Sequence, residues 1–247
     1  MKEKLRGTLG YLAATGIFLA VWHTLSYFSG ILPGIIPSIS YLAGNLGIAL
    51  SDTVITLENT LAGFMIALVL AMVLAWLASL GGFVEDVVKS FNVLVQSVSA
   101  LVWALLFLII YGFTSRLPAV SVAAATAFPI LLSGTLKGFE VARSEYGELS
   151  RILGLSRLGE LLNILAPASV PFIVASGRSA LGAALRISVV AEAFGASGGI
   201  GYRLWLYYQL HDYEGFMAWA LLLVTLMVVL DKLVLERLEA WSRKWME

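Results

Sequence analysis

The chain has 247 residues, 60% of them hydrophobic and 13% charged, with 16 basic side chains against 16 acidic ones and a mean hydropathy of +0.90. A soluble domain carries about 25% charged residues, so this composition predicts an integral membrane protein. Zero net charge gives no bulk attraction to nucleic acid. The absence of cysteine rules out disulfides, thiolate metal sites and cysteine nucleophiles, and only His23 and His211 are present to form a histidine metal cluster.

Lys2, Lys4 and Arg6 precede an apolar run over 8–28. The run is about as long as ~30 Å of hydrocarbon requires, and no small-x-small cleavage site follows it, so it is read as a first span and not a signal peptide. Pro33, Pro37 and four glycines then mark a loop over 29–51, with a short interfacial turn around 35–46. A second span is predicted over 53–80. It carries Glu58 and Asn59 near its start and ends at Gly81-Gly82. The polar patch of Glu85, Asp86 and Lys89 separates it from a third span over 91–111, and a fourth runs over 117–136, interrupted by Pro129.

The longest polar interval follows, over 140–163. Ser144 is positioned to cap a short surface helix over 145–153, with Gly154 as the left-handed residue that ends it. Glu145, Glu148 and Arg151 recur at i, i+3 and i+6, with Leu149, Ile152 and Leu153 on the other side, which makes a helix suited to docking. A fifth span over 166–190 and a sixth over 215–234 enclose a stretch rich in Gly, Trp and Tyr. The tail carries Glu236, Arg237, Glu239, Arg243 and Lys244.

Loop charge orients these spans. With the N-terminus cytoplasmic, the inner segments hold Lys2, Lys4, Arg6, Lys89, Lys137, Arg143, Arg151, Arg157, Lys232, Arg237, Arg243 and Lys244. The outer segments hold only Arg116 and Arg203. That asymmetry follows the positive-inside rule, placing both termini and 140–163 in the cytoplasm. Trp205, Tyr207, Tyr208, Tyr213 and Trp219 cluster at the outer end, as an interfacial belt or as a docking surface for an external protein.

Two charges lie inside the fifth span. Each costs about 2.5 to 3.5 kcal/mol at mid-bilayer, so Arg178 and Arg186 must face protein or water. Gly177, Ala180, Gly182, Ala183 and Ala184 keep the helix thin for a close neighbour. The two guanidiniums, with Gly182 between them, suit an anion-tolerant path. The structural alternative pairs Arg178 with a carbonyl or with Glu58 and lets Arg186 snorkel outward. Glu192 closes the span, either capping the amides of the glycine-rich turn after it or serving as a gate element.

The polar interval resembles the EAA signature of permease subunits from ABC importers, in which Glu-Ala-Ala is followed at fixed distances by Gly, Ile and Leu-Pro. Glu148, Gly154, Ile164 and Pro167 fill the matching places, with Leu149, Ser150 and Ala166 as departures. Gly177-Arg178-Ser179-Ala180-Leu181-Gly182, Val189-Val190-Ala191-Glu192 and 195–202 look like the sulfonate, taurine and nitrate branch. Pro129, Gly112, Asp231 and Glu236 also sit where that branch has similar residues. Leu185 and Arg186, Asn59, Ser99 and Leu105 depart from it, which leaves the solute open between a small anion and a neutral or aromatic nutrient.

The resemblance implies an all-α polytopic membrane protein of the type I ABC importer permease kind. It would have six transmembrane helices and a single permease domain over 1–247 in the cell membrane. Residues 140–163 would be the cytoplasmic coupling segment, with Glu145, Glu148, Arg151, Gly154, Ile164 and Pro167 facing the ATPase. Arg178, Gly182, Arg186 and Glu192 would belong to the translocation path. Implied partners are two copies of an ABC ATPase, an extracytoplasmic solute-binding protein and a second permease copy. No phosphate-cradling Gly-x-x-x-x-Gly-Lys-Ser/Thr occurs, so ATP and Mg are expected in the ATPase, with no cofactor in this chain and no enzyme activity of its own. An ion-coupled transporter or channel is the rival reading, whose inverted repeats and midplane acids are not evident.

Overall fold

Small side chains at every helical turn of the second apolar run let its neighbours approach closely. Ala67, Ala71, Ala75 and Ala78 are all at most 2% exposed, and they pack with Ala123, Ala127 and Leu131 and with Ala180 and Ala184 in one buried cluster. A computed structural model describes residues 2–235, and those residues form helices and connecting turns with no strand among them. The tail charges from Glu236 onward lie outside the described residues.

The elements are α1 (Lys2–Ser29), α2 (Ile35–Gly44), α3 (Leu46–Ser79), α4 (Phe83–Ser97), α5 (Ala100–Tyr111), α6 (Leu117–Ile152), α7 (Arg157–Glu160), a π-helical turn (Leu161–Leu165), α8 (Ala166–Gly195), α9 (Ile200–Leu210), α10 (Tyr213–Val229) and a second π-helical turn (Leu230–Leu235). The core is α3, α6 and α8 packed together, with α10 and α9 against the start of α3. Contacts are closest between α6 and α8. A Cβ on Gly134 would run into the Ser176 side chain, and one on Gly138 would meet Ser169 Cβ at 2.7 Å. Gly134 belongs to the fourth predicted span, and Gly138 lies just beyond its predicted end.

Four described helices are long and apolar enough to cross a membrane: Leu46–Ser79, Leu117–Ile152, Arg157–Gly195 and Tyr213–Lys232. The first predicted span falls within α1. The third is not the single rod expected over 91–111, because α4 and α5 meet at Val98 and Ser99 with an 89° bend. Ser99 is extended, with ψ 140°.

The polar interval also differs from expectation. It holds no separate helix over 145–153, because the fourth span continues unbroken through Ile152. Ser144 does not cap a helix start. Its hydroxyl donates back to Val141 O at 2.9 Å within the helix, and an N-cap needs the non-helical backbone that Ser144 lacks. Residues 140–163 therefore form the tip of a helical hairpin made by α6 and the rod of α7, π-turn and α8.

Candidate functional site

The hairpin turns at Gly154, whose φ is +61°. Its N–H donates to Arg151 O at 3.1 Å and the Leu155 N–H donates to Ser150 O at 3.2 Å, the paired bonds that satisfy the last carbonyls of a helix ending in a left-handed residue. Ser156 then starts the return arm, accepting from Gly159 N at 3.1 Å. Glu145, Glu148 and Arg151 are exposed, and so are the apolar Tyr146, Leu149, Ile152, Leu153 and Leu158. Ile152 is 82% exposed, so this tip displays a greasy surface as well as a polar one. Arg143, Gly147, Arg151, Gly154 and Glu160 also line an open polar cavity of about 540 Å³. Ile164 sits in the π-helical turn and Pro167 in the first turn of α8, away from that tip.

Two arginines that the sequence offered only as loop charges brace the hairpin. Arg143 from α6 donates to Ser79 O and lies 3.5 Å from Glu160 Oε1, while Arg157 from α7 donates to Leu80 O at 2.7 Å. Both meet carbonyls at the end of α3, where a helix leaves its acceptors unpaired and carries partial negative charge.

Halfway along α8 the structure brings together three of the predicted path residues. Arg178, Gly182 and Arg186 line one cavity of about 280 Å³ with Ser179, Leu181, Leu185, Met227, Leu230 and Asp231. The Arg178 guanidinium grips Asp231, Nε to Oδ1 and Nη2 to Oδ2, both at 3.0 Å. Its partner is thus Asp231 and not Glu58, which pairs with Arg116 at 2.7 Å. Arg186 is exposed, with no acidic partner among the described residues. Ala175, Ser179, Arg186, Val190 and Phe194 form an open stripe along α8, while Ala180 and Ala184 on the opposite side are buried.

Glu192 lies outside that cavity. It is fully buried at the far end of α8 and accepts from Thr56 Oγ1 at 2.8 Å, Asn59 Nδ2 at 2.9 Å and Gly201 N at 3.1 Å. Its carboxylate caps the start of α9, one of the two roles its position suggested. Thr56 Oγ1 accepts from Ile200 N at 2.9 Å, and Asp52 accepts from Gly199 N at 3.4 Å, Arg203 Nε at 3.0 Å and Trp219 Nε1 at 2.9 Å. The first amides of α9 thus find their acceptors on α3 and α8. Trp219 and Tyr207 are buried in this block and do not belong to an outward belt, whereas Trp205 and Tyr208 are exposed. On α2 the Tyr41 hydroxyl donates to Asp212 Oδ2 at 2.6 Å. Burial and then that bond hold the phenol above the usual tyrosine range. Asp52, Thr56 and Asn59 are spaced at i, i+4 and i+7, a polar stripe on an apolar run that is visible in the sequence as a helical spacing.

The chain as a whole resembles known proteins. A chain in a crystal structure of an amino acid ABC transporter with histidines shares the fold, with a TM-score of 0.68 at 15% identity over 83% of this chain and 97% of that one. The nitrate import permease protein NrtB of Synechococcus elongatus is 28% identical over 96% of this chain and 89% of its own length. The bicarbonate transport system permease protein CmpB of the same organism is 23% identical over 78% of this chain and 68% of its own. The model of the family described as the binding-protein-dependent transport system inner membrane component matches residues 63–246. This chain belongs to that family: it is a multi-pass ABC importer permease, a transport subunit whose family implies an ATPase and a substrate-binding protein as partners.

Proposed function

We propose that this protein forms the translocation path of an ATP-driven importer for a small anion, nitrate or a related oxyanion. The observation that carries this reading is Arg186, a guanidinium exposed on the open stripe of α8, lining a cavity and lacking an acidic partner among the described residues. A guanidinium binds planar oxyanions through charge-assisted, often bidentate hydrogen bonds, and it is more weakly hydrated than an ammonium. The names of the nitrate and bicarbonate relatives support the same class of solute.

In this reading six spans cross the cell membrane with both termini and the hairpin in the cytoplasm. The open stripe of α8 faces a second copy of the chain, so that two Arg186 side chains flank one path. The hairpin tip, through Glu145, Glu148, Arg151 and its exposed apolar residues, docks on one of two ATPase subunits, which hold ATP and Mg. Closure of the ATPases moves the two hairpins and rocks the bundles between inward-open and outward-open states. An external binding protein delivers the solute to the outward-open one.

The test is uptake of labelled nitrate and bicarbonate by the permease reconstituted with its ATPase and binding protein. Arg186→Gln is expected to cut uptake at least about tenfold, the loss of one charge-assisted contact, while membrane insertion and ATPase copurification persist. Wild-type uptake in the variant would remove Arg186 from the path, and a wild-type transporter that carries neither anion would overturn the solute class.

A further inference from the structure

Two neighbouring cavities where α1 meets α10 have opposite chemistry and share one wall. The first, of about 220 Å³, is apolar and is lined by Val21 and Leu25 from α1 and by Met217, Ala220, Leu221 and Val224 from α10. The α10 residues recur at i, i+3, i+4 and i+7, so they form one face about 10 Å long at 1.5 Å per residue. The second cavity, of about 410 Å³, opens at the start of α10, where His211, Asp212, Tyr213 and Glu214 face Pro33 and Pro37. Leu32 lines both. Trp22 Nε1 donates to Pro33 O at 3.1 Å and Ser26 Oγ to Leu32 O at 2.8 Å, which holds the loop after α1 against the junction of the two.

We propose that the joined cavities are the site of one phospholipid with an amine headgroup, its acyl chain along α10 and its ammonium at Asp212 and Glu214. Dimensions select the occupant. About 220 Å³ spread over ~10 Å leaves a cross-section of roughly 20 Å², room for one extended hydrocarbon chain and far too little for a helix about 10 Å across. From Asp212 to Val224 the helix rises roughly 18 Å, close to the ~15 Å of one leaflet of hydrocarbon. Tyr213 at the mouth is the amphipathic ring expected where hydrocarbon gives way to water. Charge selects the headgroup. Two carboxylates line the mouth, with no lysine or arginine among its described lining residues, and residues 29–51 contain neither, so an ammonium is attracted and an anionic headgroup repelled. Asp212 is held in place by the Tyr41 hydroxyl, which donates to Oδ2 at 2.6 Å, and by Gly215 N, which donates to Oδ1 at 3.0 Å. Each of those oxygens keeps a lone pair for a further donor, and His211 supplies a ring N–H for the phosphate. The site fastens α1 to α10 and is independent of which solute the transporter carries.

The assembled transporter, in a mild detergent, is titrated with phosphatidylethanolamine and with phosphatidylglycerol of the same acyl chains, and native mass spectrometry counts the lipids retained. Wild type is expected to keep one phosphatidylethanolamine per copy of this chain and to bind phosphatidylglycerol more weakly. Glu214→Gln, on the exposed side of the first turn of α10, is expected to narrow that preference about three- to fivefold, the worth of one partly exposed ion pair. Ala220→Phe fills the apolar cavity and is expected to abolish retention of both lipids. Should Ala220→Phe not assemble, the Glu214→Gln ratio decides alone. Equal retention of the two lipids by wild type, or a preference that survives Glu214→Gln unchanged, overturns the proposal. One lipid per chain still retained by Ala220→Phe places it elsewhere on the surface and overturns it too. Assembled wild-type protein that keeps no lipid means that protein closes the cavity, which refutes the lipid site and leaves the anion path standing.

Discussion

Replacing Glu192 with alanine tests the polar block at the far end of the bundle. The carboxylate accepts from Thr56, Asn59 and Gly201 at zero exposure, so its removal strands three donors that water reaches poorly. Each buried donor left without an acceptor costs about 1–3 kcal/mol. Part of this is recovered because the desolvation of the carboxylate is relieved. The expected net loss is about 3–5 kcal/mol, which for a chain of this size lowers the melting temperature by roughly 6–20 °C. Glu192→Gln keeps an acceptor for Asn59 but turns an NH₂ toward Gly201 N–H and the Thr56 hydroxyl, and it should cost about 1–2 kcal/mol. The order of stability is then wild type, Gln, Ala. Thermal unfolding of the purified protein in detergent, followed by tryptophan fluorescence, to which Trp219 in the same block contributes, reads the effect. An alanine variant that melts within about 2 °C of wild type would mean that these hydrogen bonds do not hold α9 in place.

Two further predictions concern the hairpin. Gly154→Val meets no side chain, since nothing lies within 4 Å of a Cβ there, so its whole effect comes from the positive φ of +61°. The strain is about 1–2 kcal/mol, enough to misplace the tip, and the expected result is lost ATPase copurification and uptake with normal membrane yield. Glu148→Ala should weaken copurification without altering that yield, and wild-type uptake in both variants would refute the docking role of the tip. Orientation is open to single cysteines, because the native chain has none. Those at Ser40 and Ser197 should label from outside intact cells, and those at Ser144 and Ser156 only after permeabilisation. Labelling of Ser144 from outside would reverse the topology.

What the sequence made legible followed from local chemistry. Composition announced the membrane, and Gly154 marked a left-handed turn because only backbone freedom is at stake there. Boundaries were harder, since nothing between Lys137 and Ile152 breaks a helix and the change from apolar to polar there marks a change of surroundings rather than of backbone. The bend between α4 and α5 was hidden because Val98 and Ser99 carry no proline or glycine. Partners across the bundle were hidden for another reason. Arg178 could meet any acid that packing brings near, and only the approach of the second π-helical turn to α8 selects Asp231 over Glu58. Trp219 looked like a belt residue because its acceptor, Asp52, is 167 positions away.

The bracing of the hairpin bears on how motion at its tip would reach the cavity. Arg143 and Arg157 approach the end of α3 from the two arms of the hairpin, meeting the carbonyls of Ser79 and Leu80. At the opposite end Glu192 joins α8 to α3 through Thr56 and Asn59. α3 is thus fastened to both arms of the hairpin at one end and to α8 at the other, and a push on the tip should displace these helices together instead of bending the hairpin alone. Replacing Arg143 and Arg157 with glutamine removes the inner fastening and leaves the outer one. Each arginine at this partly exposed helix end contributes about 0.3–1 kcal/mol, so the double variant should still fold and still copurify with the ATPase. What should fall is the amount of solute carried per ATP hydrolysed, further in the double variant than in either single one, because each arm alone keeps one tie. A double variant that transports at the wild-type ratio would show that the hairpin drives the cavity without α3.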